Sequence, residues 1–155
     1  MVGADCRVLI LGSLPGVQSL AARQYYAHPR NRFWELVGAA IARPDLPALP
    51  YEARIAALKD RGIGLWDVFA SARRTGSLDS AIRDAAHADL PGLIDAIPLL
   101  RAVAFNGKAA SRASRRVLDR VELPLLDLPS SSPANASIPL AAKRSAWLDL
   151  RRFLD

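Results

Sequence analysis

The densest cluster of chemically capable side chains is Tyr25-Tyr26-Ala27-His28-Pro29-Arg30-Asn31-Arg32-Phe33-Trp34. Aromatics make up only 6% of a chain otherwise rich in Ala, Leu and Arg, so this concentration is local. Rings offer π-faces to a flat heterocycle, and arginines offer charge to a phosphate backbone. The mixture therefore suits a pocket for a nucleobase beside nucleic acid. Asn31 stands where a helix should begin, and a favoured N-cap could account for it alone. His28 fits either a structural hydrogen bond or a base contact. Phe33 and Trp34 read as core, whereas Tyr25 and Tyr26 cannot both face inward on a regular helix.

Four further constellations carry possible chemistry. In Gly12-Ser13-Leu14-Pro15-Gly16, two glycines would let backbone amides approach a phosphate or a water closely. The segment is no Walker loop and lacks a dinucleotide fingerprint, so a plain strand-to-helix turn remains open. Asp67 ends an apolar run, where it could accept from a ring N–H, cap a helix, or pair with Arg73 or Arg74. Lys108, Arg112, Arg115, Arg116 and Arg120 fall on one face of an expected helix, opposite Ala110, Ala113, Val117 and Val121. Such a stripe is either a solvated face or a track for phosphates. Pro129 to Ser137 is a polar turn whose serines, Ser130, Ser131 and Ser132, suit phosphate oxygens or simply water. No Gly-x-Ser-x-Gly elbow is present, and the histidines are too few and too far apart for a metal centre.

These residues need elements to hold them. Strands are expected over Arg7–Leu11, Ile63–Phe69, Arg101–Phe105 and Leu123–Leu128. Helices are expected over 17–23, from Phe33 to a stop at Pro44, and over 51–60, 78–86, 90–100, 107–120 and 140–154. Alternating strands and helices predict an α/β fold, three-layer α/β/α, around a central four-stranded, mainly parallel sheet. Ligands of such sheets bind beyond the carboxyl ends of the strands. Those ends are Gly12 to Gly16, Asp67, Asn106-Gly107-Lys108 and Pro129 to Asn135, each carrying residues with chemistry to offer.

Composition bounds the rest. A chain of 155 residues with 51% hydrophobic and 23% charged residues fits a single domain over 1–155 with a real core. A net charge of +6 points to an acidic partner, with nucleic acid leading. The lone Cys6 excludes an internal disulfide and predicts a buried thiol in a reducing compartment. No run approaches a membrane span and no leader precedes the first strand, so a cytoplasmic, nucleoid-associated monomer is expected.

Taken together the motifs resemble the uracil-DNA glycosylase superfamily, and most closely its hypoxanthine-DNA glycosylase (family 6, DNA-deoxyinosine glycosylase) branch. Gly12-Ser13-Leu14-Pro15-Gly16 is similar to the first superfamily motif, Gly-x-Asn/Asp-Pro-x. His28-Pro29-Arg30-Asn31-Arg32-Phe33-Trp34 resembles the His-Pro-x-Asn-x-Phe-Trp of mismatch-specific uracil glycosylases. Leu128-Pro129-Ser130-Ser131-Ser132 resembles the second motif of thymine-mismatch glycosylases. Gly64-Leu65-Trp66-Asp67-Val68, Gly76-Ser77-Leu78-Asp79 and Asn106-Gly107-Lys108 resemble the hypoxanthine branch.

The resemblance implies a monofunctional glycosylase acting on DNA with deaminated bases, chiefly hypoxanthine, without cofactor or metal. Leu14 occupies the usual water-activating position, so the catalytic amide is implied to be Asn31. Base contacts are implied for Ser13, Tyr26, His28, Asp67 and Asn106. Gly12, Pro15, Gly16, Lys108, Arg112, Ser130, Ser131, Ser132, Ala134 and Asn135 are implied to meet DNA. A second motif without histidine implies slow turnover and weak uracil excision. The competing readings are a uracil or thymine-mismatch glycosylase, a silent DNA-binding module, and a nucleoside hydrolase.

Overall fold

The structure, a computed structural model, describes residues 1–13, 15–74, 82–87 and 89–155; for 69–74 and 82–87 it gives the backbone path alone. Its central sheet is built from Val8–Gly12 (β1), Ile63–Asp67 (β2), Ala102–Asn106 (β5) and Leu125–Leu128 (β6). The spatial order is β2-β1-β5-β6 and every pairing is parallel. β1 and β5 are buried along their whole lengths, as strands covered on both faces must be.

Side-chain alternation divides the interior into two cores. Val8, Ile10, Leu65, Ala104 and Leu128 face one layer, formed by Phe33–Ala40 (α2), Tyr51–Asp60 (α3) and Leu140–Trp147 (α6). Leu9, Leu11, Val103 and Phe105 face the other, formed by Leu90–Asp95 (α4) and Lys108–Arg115 (α5). The three-layer α/β/α arrangement expected from the sequence is the observed one. Val17–Ala22 (α1) follows β1, and Arg151–Leu154 (α7) closes the chain.

Several boundaries differ from expectation. The second strand stops at Asp67, and its last ladder bond to β1 runs from the Val68 amide to the Gly12 carbonyl at 2.7 Å. Phe69–Arg74 (β3) then leaves the sheet to pair antiparallel with Ile82–His87 (β4). A helix had been expected over 78–86, so its carboxyl half is overturned. Ladder pairing outweighs local helix propensity in so short a segment. Residues 78–81, and the Gly76-Ser77-Leu78-Asp79 motif, lie outside the described residues.

α4 ends at Asp95 rather than Leu100, since Pro98 lacks an N–H and disfavours helix at Ile97. α5 ends at Arg115 rather than Arg120. There Ser114 Oγ donates to the Ala110 carbonyl at 2.6 Å, a back-bond that bends helices. The expected closing helix is broken into α6, a 3-10 turn over Leu148–Leu150, and α7.

Candidate nucleobase-binding cleft

The four carboxyl ends meet in one cleft of about 800 Å³. Connections from β1 and β5 run to opposite sides of the sheet, so the cleft lies at the topological switch point. β1 leads into Gly12, Ser13, Pro15 and Gly16; β2 ends in Asp67; β5 ends in Asn106; the turn after β6 brings Ser130, Ser131, Ser132 and Ala134. Tyr26, His28 and Asn31, from the segment before α2, complete the lining. The volume suits a nucleoside-sized ligand.

Asn31 stands one residue before Arg32, the N-cap of α2, and its Oδ1 accepts from the amide of Phe33, the first helical residue, at 2.9 Å. A carboxamide oxygen has two lone pairs, so this bond leaves one for a water in the cleft. The N-cap reading of Asn31 is overturned, since Arg32 holds that position; Asn31 instead closes an Asx turn onto the first residue of the helix and lines the cleft. His28 Nδ1 accepts from the Arg30 amide at 3.1 Å, which assigns the ring proton to Nε2.

Tyr26 lies flat on Phe33, with centroids 3.8 Å apart and planes 15° from parallel. Phe33 in turn meets Trp34 and Trp147 edge-on, and both Phe33 and Trp34 belong to the core. This brace holds Tyr26 in the left-handed region, at φ 53°. A Cβ on Gly12 would lie 3.0 Å from Tyr26 Oη and 3.6 Å from Asp67 Oδ1, so phenol and carboxylate converge over that glycine. Asp67 is followed by β3, which removes the helix-cap reading.

Other residues hold the cleft rather than face a ligand. Asn106 is committed to Ser131: its Nδ2 donates to Ser131 Oγ, and its Oδ1 accepts from the Ser131 amide, both at 2.9 Å. Ser131 is 1% exposed, so its hydroxyl fastens the turn and is closed to a phosphate. The Gly107 amide donates to the Leu128 carbonyl at 3.0 Å, which removes it as a receiver of charge from a departing base. Gly107 has φ 97°, and a Cβ there would meet the Ser130 Cβ at 3.0 Å. Ser130 Oγ and Ser132 Oγ accept from the Ser132 and Ala134 amides, keeping their hydroxyl protons for other partners. Asn135 lies outside the lining and donates to the Ser130 carbonyl at 3.4 Å.

The cation stripe of α5 stands apart from the cleft. Lys108 and Arg112 are exposed but do not line it. Arg115 pairs with Asp127 at 2.6 Å, and Arg116 and Arg120 lie beyond the helix end. Instead the charged rim comes from Arg23 and Arg30. Gln18, Leu20, Arg23 and Gln24, on or just after α1, and Tyr51 of α3 were not picked out from sequence as cleft residues. Their signal was positional: a helix directly after a carboxyl-end turn must flank its cleft. Leu14 lies outside the described residues. Among the described residues, no group of three or more His, Cys, Asp or Glu is placed to hold a metal ion.

Parallel topology and a nucleobase-sized cleft of rings, amides and serines define an α/β protein with its ligand site at the switch point. The chain belongs to the uracil DNA glycosylase superfamily, whose family model matches residues 1–151. It is 44% identical over 131 residues to the hypoxanthine DNA glycosylase of Methanosarcina acetivorans, covering 84% of this chain and 82% of that one. It is 39% identical over 149 residues to the protein of the same name from Methanosarcina barkeri, covering 96% and 92%. The solution NMR structure of a candidate uracil DNA glycosylase from Methanosarcina acetivorans superimposes with a TM-score of 0.87 at 39% identity, covering 99% of this chain and 93% of that one.

Proposed function

We propose that this chain is a monofunctional DNA glycosylase that hydrolyses the N-glycosidic bond of deaminated bases, chiefly hypoxanthine, in base excision repair. In this reading residues 1–155 act as one domain and as a monomer, in the cytoplasm at the nucleoid. The observation that carries it is the meeting of Asn31, Asp67, Tyr26 and the Ser130–Ser132 turn in one cleft, in a chain similar along most of its length to two hypoxanthine DNA glycosylases.

The target base leaves the stack at a cost of a few kcal/mol, lowest for a mispaired base such as inosine. Tyr26 carries the base on its ring face, with Phe33 behind it. Asp67 accepts the N1–H of hypoxanthine. Adenine has no proton at N1, and the opposed lone pairs forfeit about 1–3 kcal/mol, which spares the normal base.

Asn31 Oδ1 accepts one proton of a water and aims its oxygen at C1′. As the bond from C1′ to the base nitrogen breaks, its electron pair leaves with the base. The water oxygen bonds to C1′ and sheds a proton to solvent. Backbone amides near Ser13 meet the charge developing on the base. Ser130 and Ser132 hold the adjoining phosphates. Among the described residues no lysine lines the cleft, so no Schiff base forms and the strand stays intact.

The test is alkali-dependent cleavage of labelled duplexes carrying inosine, uracil, xanthine or no lesion. Cleavage chiefly at inosine is expected. Cleavage chiefly at uracil would retain the chemistry and overturn the specificity. Salt-dependent binding without cleavage would make the chain a silent DNA-binding module.

A further inference from the structure

Lys143 of α6 is the one charged residue among those described that is buried, at 5% exposed. Its side chain makes no hydrogen bond and no ion pair among the described residues. Buried cations are ordinarily paired, because removing a charge from water is costly. Arg32 is the one charge acting on it; burial first and Arg32 second hold its pKa below the usual lysine value. Arg32 is itself taken by Glu35 at 3.1 Å, so Lys143 is left as the uncompensated cation.

Among the described residues, Trp34 Nε1 is the only side-chain nitrogen or oxygen shut from solvent without a partner. The Lys143 ammonium therefore reaches solvent, and what is enclosed is its stem. An ordinary surface lysine samples many rotamers and loses that freedom when it binds an anion. Here the fold has already fixed the stem and presents the head unpaired.

α6 sets where the head lies. Lys143 stands one turn before Trp147 on the same face, and Trp147 Nε1 donates to the Pro129 carbonyl at 3.0 Å. Helical side chains lean toward the N-terminus, so Lys143 extends past that bond, toward Arg32. There the Arg32 amide donates to the Ser131 carbonyl at 3.0 Å, joining α2 to the turn that brings Ser130 and Ser132 to the cleft. Lys143 is outside the cleft lining, behind this joint. One ammonium beside an occupied guanidinium is no closed cradle for a free phosphate ion. A phosphodiester needs none, since the rest of its strand holds it in place.

We infer that Lys143 is a preformed contact for one DNA phosphodiester, next to the phosphates held by Ser130 and Ser132 and outside the base pocket. The choice of DNA as the partner rests on the glycosylase reading. Lys143 touches no reacting atom; it fixes where the strand lies.

Affinity is measured for duplexes carrying 2′-fluoro-deoxyinosine, whose fluorine disfavours the oxocarbenium ion and so blocks excision. Phosphates near the lesion are replaced one at a time by uncharged methylphosphonate. The proteins are native, Lys143→Met, which keeps the stem, and Arg144→Met, which removes the exposed charge next in the chain. The native protein is expected to lose about tenfold at the phosphate that Lys143 meets. Lys143→Met should bind the unmodified duplex about tenfold more weakly and lose nothing further at that phosphate. Its slope of log Kd against log salt should fall by about 0.9, the share of one phosphate. Its melting temperature should be native or higher, since a partly desolvated charge is gone. Arg144→Met should keep the native loss at that phosphate. Native affinity in Lys143→Met, or the native pattern of losses at every phosphate, would overturn the contact. A lowered melt with an unchanged salt slope would make Lys143 a packing residue and overturn it too. If the phosphate-specific loss appears but the native protein leaves natural inosine in place, the glycosylase reading fails while the phosphate site stands.

Discussion

In the proposed mechanism Asn31 uses one oxygen for two tasks, and they can be separated chemically. The Phe33 amide holds Oδ1 in place at 2.9 Å, so the lone pair proposed to orient water is positioned by a turn that leads into α2. Asn31→Ala removes both functions. Excision should fall at least about tenfold, stability should fall by about 1 kcal/mol through the lost hydrogen bond to the Phe33 amide, and DNA affinity should stay near native. Asn31→Asp keeps an acceptor for the Phe33 amide and one for the water, so a melt close to native with partial activity is expected. If Asn31→Ala excised inosine at the native rate, the residue would have no place in the mechanism. Such residues were legible because Gly, Asn, Asp and Ser stood where a parallel sheet places ligands. Asn106 was legible as a cleft residue but not in its task, since its partner Ser131 is 25 positions away and adjacency is set by β5–β6 pairing. Leu20 was not legible at all, because a leucine in a helix reads as core until its exposure is known.

Elements around the cleft are tied to one another rather than left as separate loops. Ser131 is the knot. Asn106 holds it from the end of β5, and the Arg32 amide donates to its carbonyl at 3.0 Å from the start of α2. Trp147 of α6 adds a bond from Nε1 to the Pro129 carbonyl at 3.0 Å. Asn106→Ala would strand a buried amide and hydroxyl, costing about 1–3 kcal/mol, and would loosen the turn that carries Ser130 and Ser132. Urea unfolding should show that loss, and the KM for inosine-containing duplex should rise more than kcat falls. A variant with native stability and KM would mean the turn is held by its other bonds alone. The same dependence on distant partners explains which elements the sequence revealed. The runs that became β1, β2, β5 and β6 are short, apolar and ended by turn residues, so they were readable. β4 was not, because residues 82–87 acquire strand geometry only through the ladder with β3.

At the scale of the whole molecule, the sheet separates two apolar cores, and each holds one proton that reports on it. Cys6 belongs to the core beneath α4 and α5, 2% exposed, with its thiol donating to the Val8 carbonyl at 3.4 Å. Burial pushes its pKa from 9.0 up to about 11. Tyr25 packs against the opposite core, where burial first, and the nearby Asp67 charge second, push its phenol from 10.0 up to about 12. Both groups therefore keep their protons in the fold at pH values where the unfolded chain has released them. Stability from each is intact below its unfolded value and is lost as pH rises, over about 9 to 11 for Cys6 and 10 to 12 for Tyr25. Urea midpoints followed from pH 8 to 12 should fall across that whole window in the native protein. Tyr25→Phe should flatten the upper part and leave the onset, which belongs to the thiol, in place. Cys6→Ala should delay the onset and leave the upper part. A native slope retained in both variants would mean that alkaline loss comes from surface charge rather than from the two cores.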